Sequence, residues 1–211
     1  MKLSFSIFFL IVVNTSLLSQ TSFGIKAGLN LSKAIYSNEY NEQLVDPIRK
    51  LKPGIVAGFV INHQLNEVIS VQAEVLYSQK GLKTEQASLY KYVNSMNYIE
   101  IPFSGQYSII QNKYSKLSIL IGGYGAYWTD GKYKRTYLIT SETTSYSVDF
   151  NSEDYEYNRI DAGIFIGTEF TKEQIEFFIR YTHSMLGSSK ENADALSNHV
   201  FSIGINYFIF Q

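Results

Sequence analysis

Few residues of this chain are equipped for chemistry. Cysteine is absent, which removes disulfides, thiolate metal sites, cysteine nucleophiles and a lipidated cysteine together. Histidine occurs only at His63, His183 and His199. His183, Ser184 and Glu191 offer the residue types of a His–Ser–acid hydrolase, but nothing in their spacing fixes a geometry. His183 and His199 have no ligand spacing of a zinc site, so neither metal nor cofactor is expected. The run Gly122-Gly123-Tyr124-Gly125 lacks the Lys-Ser/Thr of a phosphate loop. What remains is a set of charges that recur at strand spacing: Lys26, Glu74, Lys80, Glu100, Asp161, Glu169, Glu176 and Arg180.

These charges lie in segments whose polarity alternates with a period of two, the mark of a strand. Eight such segments are expected: Phe23–Ser32, Gly54–His63, Val68–Lys80, Asn97–Ile110, Leu117–Trp128, Arg159–Phe170, Ile175–Ser184 and His199–Phe210. Short turns join some of them, at Gln64–Glu67, Gln111–Lys116 and Thr171–Gln174. Long loops join the others, at Lys33–Pro53, Gly81–Met96, Thr129–Asn158 and Met185–Asn198. The longest alternates again around Tyr133–Thr140 and Tyr146–Phe150, as a hairpin would. Short and long connections around an even number of strands, each near the 9–11 residues that cross a bilayer at a tilt, describe an outer-membrane barrel. The expected fold is all-β: an eight-stranded antiparallel up-and-down transmembrane β-barrel.

Composition agrees. Charged residues are 18% and aromatics 15%, with 17 Tyr, 14 Phe and 3 Pro, a mixture suited to strands. The net charge is −1 and no basic run stands out, so nucleic acid is not an expected partner. Residues 1–19 read as a signal peptide: Lys2 precedes an apolar run from Phe5 to Val13, too short for a membrane-spanning helix. Cleavage after Ser19 leaves a barrel domain of residues 20–211, although Leu17 is large for the −3 position.

Which face meets lipid follows from side-chain size. One face carries Ile25, Phe59, Val71, Ile101, Ile119, Ile164, Phe177 and Ile203; the other is small, with Gly28, Gly58, Ser70, Gly122, Gly167 and Gly204 among it. A narrow lumen must be filled by its own side chains, and small residues fit there. The charges fall on that inner face, where they must pair; Lys26 and Arg180 are expected to bridge to Glu74, Glu100 or Asp161 in a plug that blocks conduction. On the apolar face, Phe23, Tyr107, Phe170 and Tyr207 fall near one rim and Tyr77, Tyr127, Tyr181 and Phe201 near the other, as two aromatic girdles would.

The strands also resemble a family. Phe23-Gly24-Ile25-Lys26-Ala27-Gly28-Leu29-Asn30, Pro53-Gly54 with Gly58, and Glu74 with Leu76-Tyr77-Ser78 and Gly81 are similar to the PorT-like, "porin family" outer-membrane barrels of Bacteroidota. So are Tyr98-Ile99-Glu100-Ile101-Pro102, Asp161-Ala162-Gly163 with Gly167, and Arg180-Tyr181 followed by Gly187. The resemblance implies an eight-stranded barrel of mostly unassigned role and permits an accessory subunit of a secretion or transport complex; the leading expectation is a non-enzymatic barrel with a structural or surface-binding role. A narrow channel and a lipid-modifying enzyme at the rim are lesser alternatives. Expected partners are outer-membrane lipid, the barrel-assembly machinery, and a surface ligand or envelope complex. One departure is the C-terminus, Phe208-Ile209-Phe210-Gln211, where many such barrels end on an outward aromatic.

Overall fold

In a computed structural model of the chain, the residues described are 20–36, 38–86, 89–150, 158–186, 188 and 196–210. The expected signal peptide, with Glu191 and Gln211, lies outside them.

Among the described residues, ten strands form one antiparallel sheet. They are β1 (Thr21–Tyr36), β2 (Arg49–Lys50), β3 (Lys52–Gln64), β4 (Ile69–Gln86), β5 (Tyr90–Gln111), β6 (Ser115–Tyr137), β7 (Thr143–Ser147), β8 (Ile160–Lys172), β9 (Ile175–Ser184) and β10 (Leu196–Phe210). A helix, α1 (Glu39–Val45), lies between β1 and β2. The pairing path β1–β3–β4–β5–β6–β8–β9–β10 returns to β1, where Leu29 faces Ile203 and Gly28 faces Gly204. The short β2 and β7 add only to the far ends of β4 and β6. No described helix is long and apolar enough to cross a membrane.

The strands outrun their expected ends on one side. The segment Gly81–Met96, read as a loop, is mostly a continuation of β4 and β5, paired from Gly81↔Ser95 to Gln86↔Tyr90. Likewise β6 runs to Tyr137 and pairs with β7, which makes the hairpin expected in Thr129–Asn158. Apolar alternation fades past the apolar band of the outer face, yet the backbone ladder needs only extended φ/ψ and a neighbour to continue.

The opposite ends turn tightly. Asn66 Oδ1 accepts from the amides of Val68 and Ile69, and Asn112 Oδ1 from those of Tyr114 and Ser115. A short polar side chain thereby holds the chain reversal.

Burial is inverted relative to a water-soluble protein. Phe59 is 68% exposed and Ile121 67%, whereas Lys26 is 2% exposed and Lys80 1%. Close approach at the inner wall demands glycine: a Cβ on Gly58 would stand 2.0 Å from the carbonyl oxygen of Val75.

An Ile203→Arg substitution places a cation on the apolar outer face, in mid-strand. It is expected to cost about 2–4 kcal/mol if the side chain sits at the bilayer midplane. Folding titrations in lipid vesicles check this, and wild-type stability in the variant would mean that the face does not touch lipid.

Candidate functional site

The interior is filled in three polar tiers beneath an apolar cap. In the lowest, Gln106 (β5) donates through Nε2 to Glu169 (β8) at 2.5 Å and to Gln72 (β4) at 2.9 Å. Its own Oε1 accepts from Asn62 at 2.7 Å and from the Ser70 hydroxyl at 2.6 Å. Glu176 (β9) accepts from Asn206 and Thr171 at 2.7 and 2.8 Å. These carboxylates are held by amides and a hydroxyl; among the described residues no cation stands within ion-pair distance of either.

The middle tier is ionic. Arg180 (β9) grips both oxygens of Glu74 (β4), at 2.5 and 3.2 Å, and Lys26 (β1) adds a third contact at 3.0 Å. All three side chains are buried, and the fork of a guanidinium matches a carboxylate bidentately. The cations also lie over rings, Lys26 over Phe178 at 4.1 Å and Arg180 over Phe165 at 4.3 Å, where the π face favours positive charge.

Above them Lys80 (β4) pairs with Glu100 (β5), and Asp161 (β8) stands 3.9 Å away. Asp161 accepts from Tyr124 at 2.9 Å and Ser184 at 2.5 Å. The end opposite the short turns is then closed by Trp128, Met96, Leu82, Ala34 and Leu196. Phe150 and Val45, from the outer connections, pack onto this cap, with Phe150 edge-on to Trp128 at 5.0 Å.

Little free volume is left. A space of about 20 Å³ between the middle and upper tiers has room for about one water. The end that carries the short turns instead opens into a recess of about 440 Å³, lined by Asn62, Gln64, Lys113, Lys116 and Glu176 among others.

The sequence-expected charges Lys26, Glu74, Lys80, Glu100, Asp161, Glu169, Glu176 and Arg180 all lie inside. Of the three acids open to Lys26 and Arg180, both bases choose Glu74, and Lys80 serves the other two. Sequence reasoning missed the amides of Gln72, Gln106 and Asn62, although their inward parity was a readable signal. It also missed the cap. Phe23, Tyr107, Phe170, Tyr207, Tyr127, Tyr181 and Phe201 lie exposed on the outer face, and Tyr77 lies there half-buried.

The imagined His–Ser pair does not share a site. His183 faces outward, whereas Ser184 points inward onto Asp161, as alternation along β9 requires. His183 is instead paired across strands with His199, their Nδ1 atoms 3.3 Å apart, and the Tyr181 hydroxyl meets His199 at 2.8 Å. Register set this contact, which spacing in sequence could not show. Among the described residues there is no group of three or more His, Asp or Glu able to hold a metal ion.

On the outside, α1 is anchored by Glu42, which receives Arg49 at 2.6 and 2.5 Å and the amide of Tyr36 at 3.0 Å. Partial burial pushes the Glu42 carboxyl upward, but Arg49 and that amide outweigh it and hold the group below the usual carboxylate range.

A closed antiparallel sheet with an apolar exterior and a polar, ion-paired interior defines a transmembrane β-barrel. The sequence matches the outer membrane protein beta-barrel domain family over residues 15–189, and the chain belongs to that family. Its place is the outer membrane. The match is to the family at large and does not single out the PorT-like group. No curated protein matches the sequence significantly. Among solved structures, the attachment invasion locus protein Ail of Yersinia pestis is similar at 15% identity, over 90% of this chain and 99% of that one, with a TM-score of 0.47. Neisserial surface protein A gives 12% identity, 89% and 97% coverage and 0.47. OprG from Pseudomonas aeruginosa gives 11%, 91% and 97%, and 0.45.

Removing Arg180 as Arg180→Ala takes from the Glu74 carboxylate its bidentate partner and leaves it Lys26 and the Gln72 amide. The expected cost is on the order of 3–5 kcal/mol, read from urea unfolding in lipid vesicles. Arg180→Ala combined with Glu74→Leu and Lys26→Met leaves no unpaired charge behind and should recover much of that loss; no recovery would show that the stranded charge is not the source.

Proposed function

We propose that this protein is a non-conducting outer-membrane barrel that carries a raised sheet and α1 at the cell surface, with a structural or surface-binding role. The observation that carries the reading is the filled interior: three tiers of hydrogen-bonded and ion-paired side chains under an apolar cap. In this reading the eight strands of the closed pairing path span the membrane, and β2 and β7 stand clear of it. The pairing register supports that count. Residues 1–19 act as the export signal and 20–211 form the barrel. The short turns then face the periplasm and the long connections the exterior, the usual outer-membrane arrangement. The aromatics Phe23, Tyr107, Phe170 and Tyr207 sit at one headgroup level and Tyr77, Tyr127, Tyr181 and Phe201 at the other. The inner charges serve as structural ballast and not as an ion path. Lipid and the assembly machinery are its partners during insertion.

A second reading, an accessory subunit of an envelope complex, draws on the tip of the raised sheet. There Leu89, Tyr137, Leu138 and Ile139 are all exposed, Ile139 at 77%. An apolar patch of this kind held above a membrane suits a protein contact.

Two measurements check the proposal. The protein should show no stable single-channel conductance in planar bilayers; reproducible currents altered by Arg180→Ala would replace the plug with a narrow channel. Protease added to intact cells should cut within 138–142 and spare the turn Leu65–Val68. Cutting at that turn, with the raised sheet protected, would invert the orientation.

A further inference from the structure

The outer face of the raised sheet changes chemistry along its length. It is apolar up to the row Tyr77, Ile99 and Tyr127, neighbours across β4, β5 and β6. The next row is Gln79, Asn97 and Asp130, linked by hydrogen bonds of 3.0 and 2.6 Å. Beyond it the same face carries Lys132, then Lys83 beside Val93 and Lys134, then Lys91, with Lys50 of β2 alongside Lys83.

A β-bulge makes this face. The register of β5 on β6 shifts between Asn97 and Tyr98, which leaves Thr129 as the extra residue. Its hydroxyl donates to the Asn97 carbonyl at 2.9 Å. Trp128 is inward, so without the bulge alternation would send Lys132 and Lys134 inward as well; one extra residue turns both to the outside. Among the described residues the acids on this face include Asp130, engaged by Asn97 and the Thr129 hydroxyl, Glu85, 3.8 Å from Lys83, and the exposed Asp149, two residues past Ser147, the neighbour of Lys132. Among the described residues no carboxylate lies within ion-pair distance of Lys50, Lys91, Lys132 or Lys134. Lys91, Val93, Ser95, Lys132, Lys134 and Thr136 border a recess of about 210 Å³.

We propose that this lysine face docks the phosphate groups of a phosphorylated glycolipid of the outer leaflet, with the acyl chains lying on the apolar band below. Charge complementarity selects an anion, since ammonium groups bind phosphate as point charges. Position selects lipid over a soluble polyanion. The face continues the lipid-facing side of the same three strands, so a headgroup beside the barrel meets the lysines without leaving the membrane. Attraction of this kind acts within a Debye length of the surface and weakens with salt. The inference rests on the orientation proposed above.

The test uses the full-length mature protein folded in zwitterionic detergent, titrated by thermophoresis with bis-phosphorylated lipid A, dephosphorylated lipid A, inorganic phosphate and heparin. Saturable binding of the bis-phosphorylated form is expected, weakened by salt and by removal of the phosphates, with inorganic phosphate far weaker. The variant Lys83→Gln/Lys132→Gln/Lys134→Gln should bind about tenfold more weakly, because each lysine adds its own attraction. Lys113→Gln/Lys116→Gln, at the opposite end, should match the wild type. Resistance of the unheated barrels to SDS shows that each variant is folded. Equal binding by the triple variant, indifference to the phosphates, or tighter binding of heparin than of lipid A overturns the proposal. Protection of the raised sheet from protease in intact cells overturns the orientation, and the glycolipid assignment with it. An accessible sheet without lipid A binding overturns the docking alone.

Discussion

Hydrocarbon offers no hydrogen bonds, so every backbone N–H and C=O that enters it must find a partner within the protein. Strands meet that demand only when the sheet has no free edge, and here the ladder of β1 on β10 removes the edge, from Tyr36↔Leu196 down to Phe23↔Phe210. Much of the remaining structure follows from closure. A ring of this size encloses a space only as wide as side chains can fill. Glycine appears where the inner wall is tightest, at Gly58 against the Val75 carbonyl, and at Gly28 and Gly204, which face one another across the β1–β10 seam.

Filling such a space with apolar groups alone would satisfy packing, yet the interior of this barrel is built largely from polar ones. Burial of a lone charge is costly, which explains why the arrangement is reciprocal. Glu74 accepts from Arg180, Lys26 and Gln72, and each cation rests on an aromatic ring. The acids without a cation, Glu169 and Glu176, sit among Asn, Gln and Thr donors. Polar filling then gives way to apolar packing at the end opposite the short turns, where Trp128 and Phe150 meet and close the lumen.

Past the membrane band the same strands obey a different solvent. Ladder pairing continues in β4, β5 and β6, but the outward residues become polar and then basic, and the bulge at Thr129 decides which side chains of β6 join them. A single extra residue thus separates an inward Trp128 from an outward Lys132, so the surface chemistry of the raised sheet depends on one irregularity of register.

The sequence by itself determined the strand-forming segments, their two alternating faces and the charged part of the filling. A period of two is a local property, and exclusion of charge from lipid is visible in residue types alone. Lys26, Glu74 and Arg180 were therefore legible as inner residues, and Phe59 and Ile203 as outer ones. Only the tertiary structure decided which acid each base would take, because Arg180 and Glu74 lie 106 positions apart and meet through the shear of the closed sheet. It also decided the His183–His199 contact, the cap over the lumen and the lysine face. Each of these depends on register between strands, and register is fixed by ladder pairing and bulges across the sheet, which leave no periodic trace in the chain.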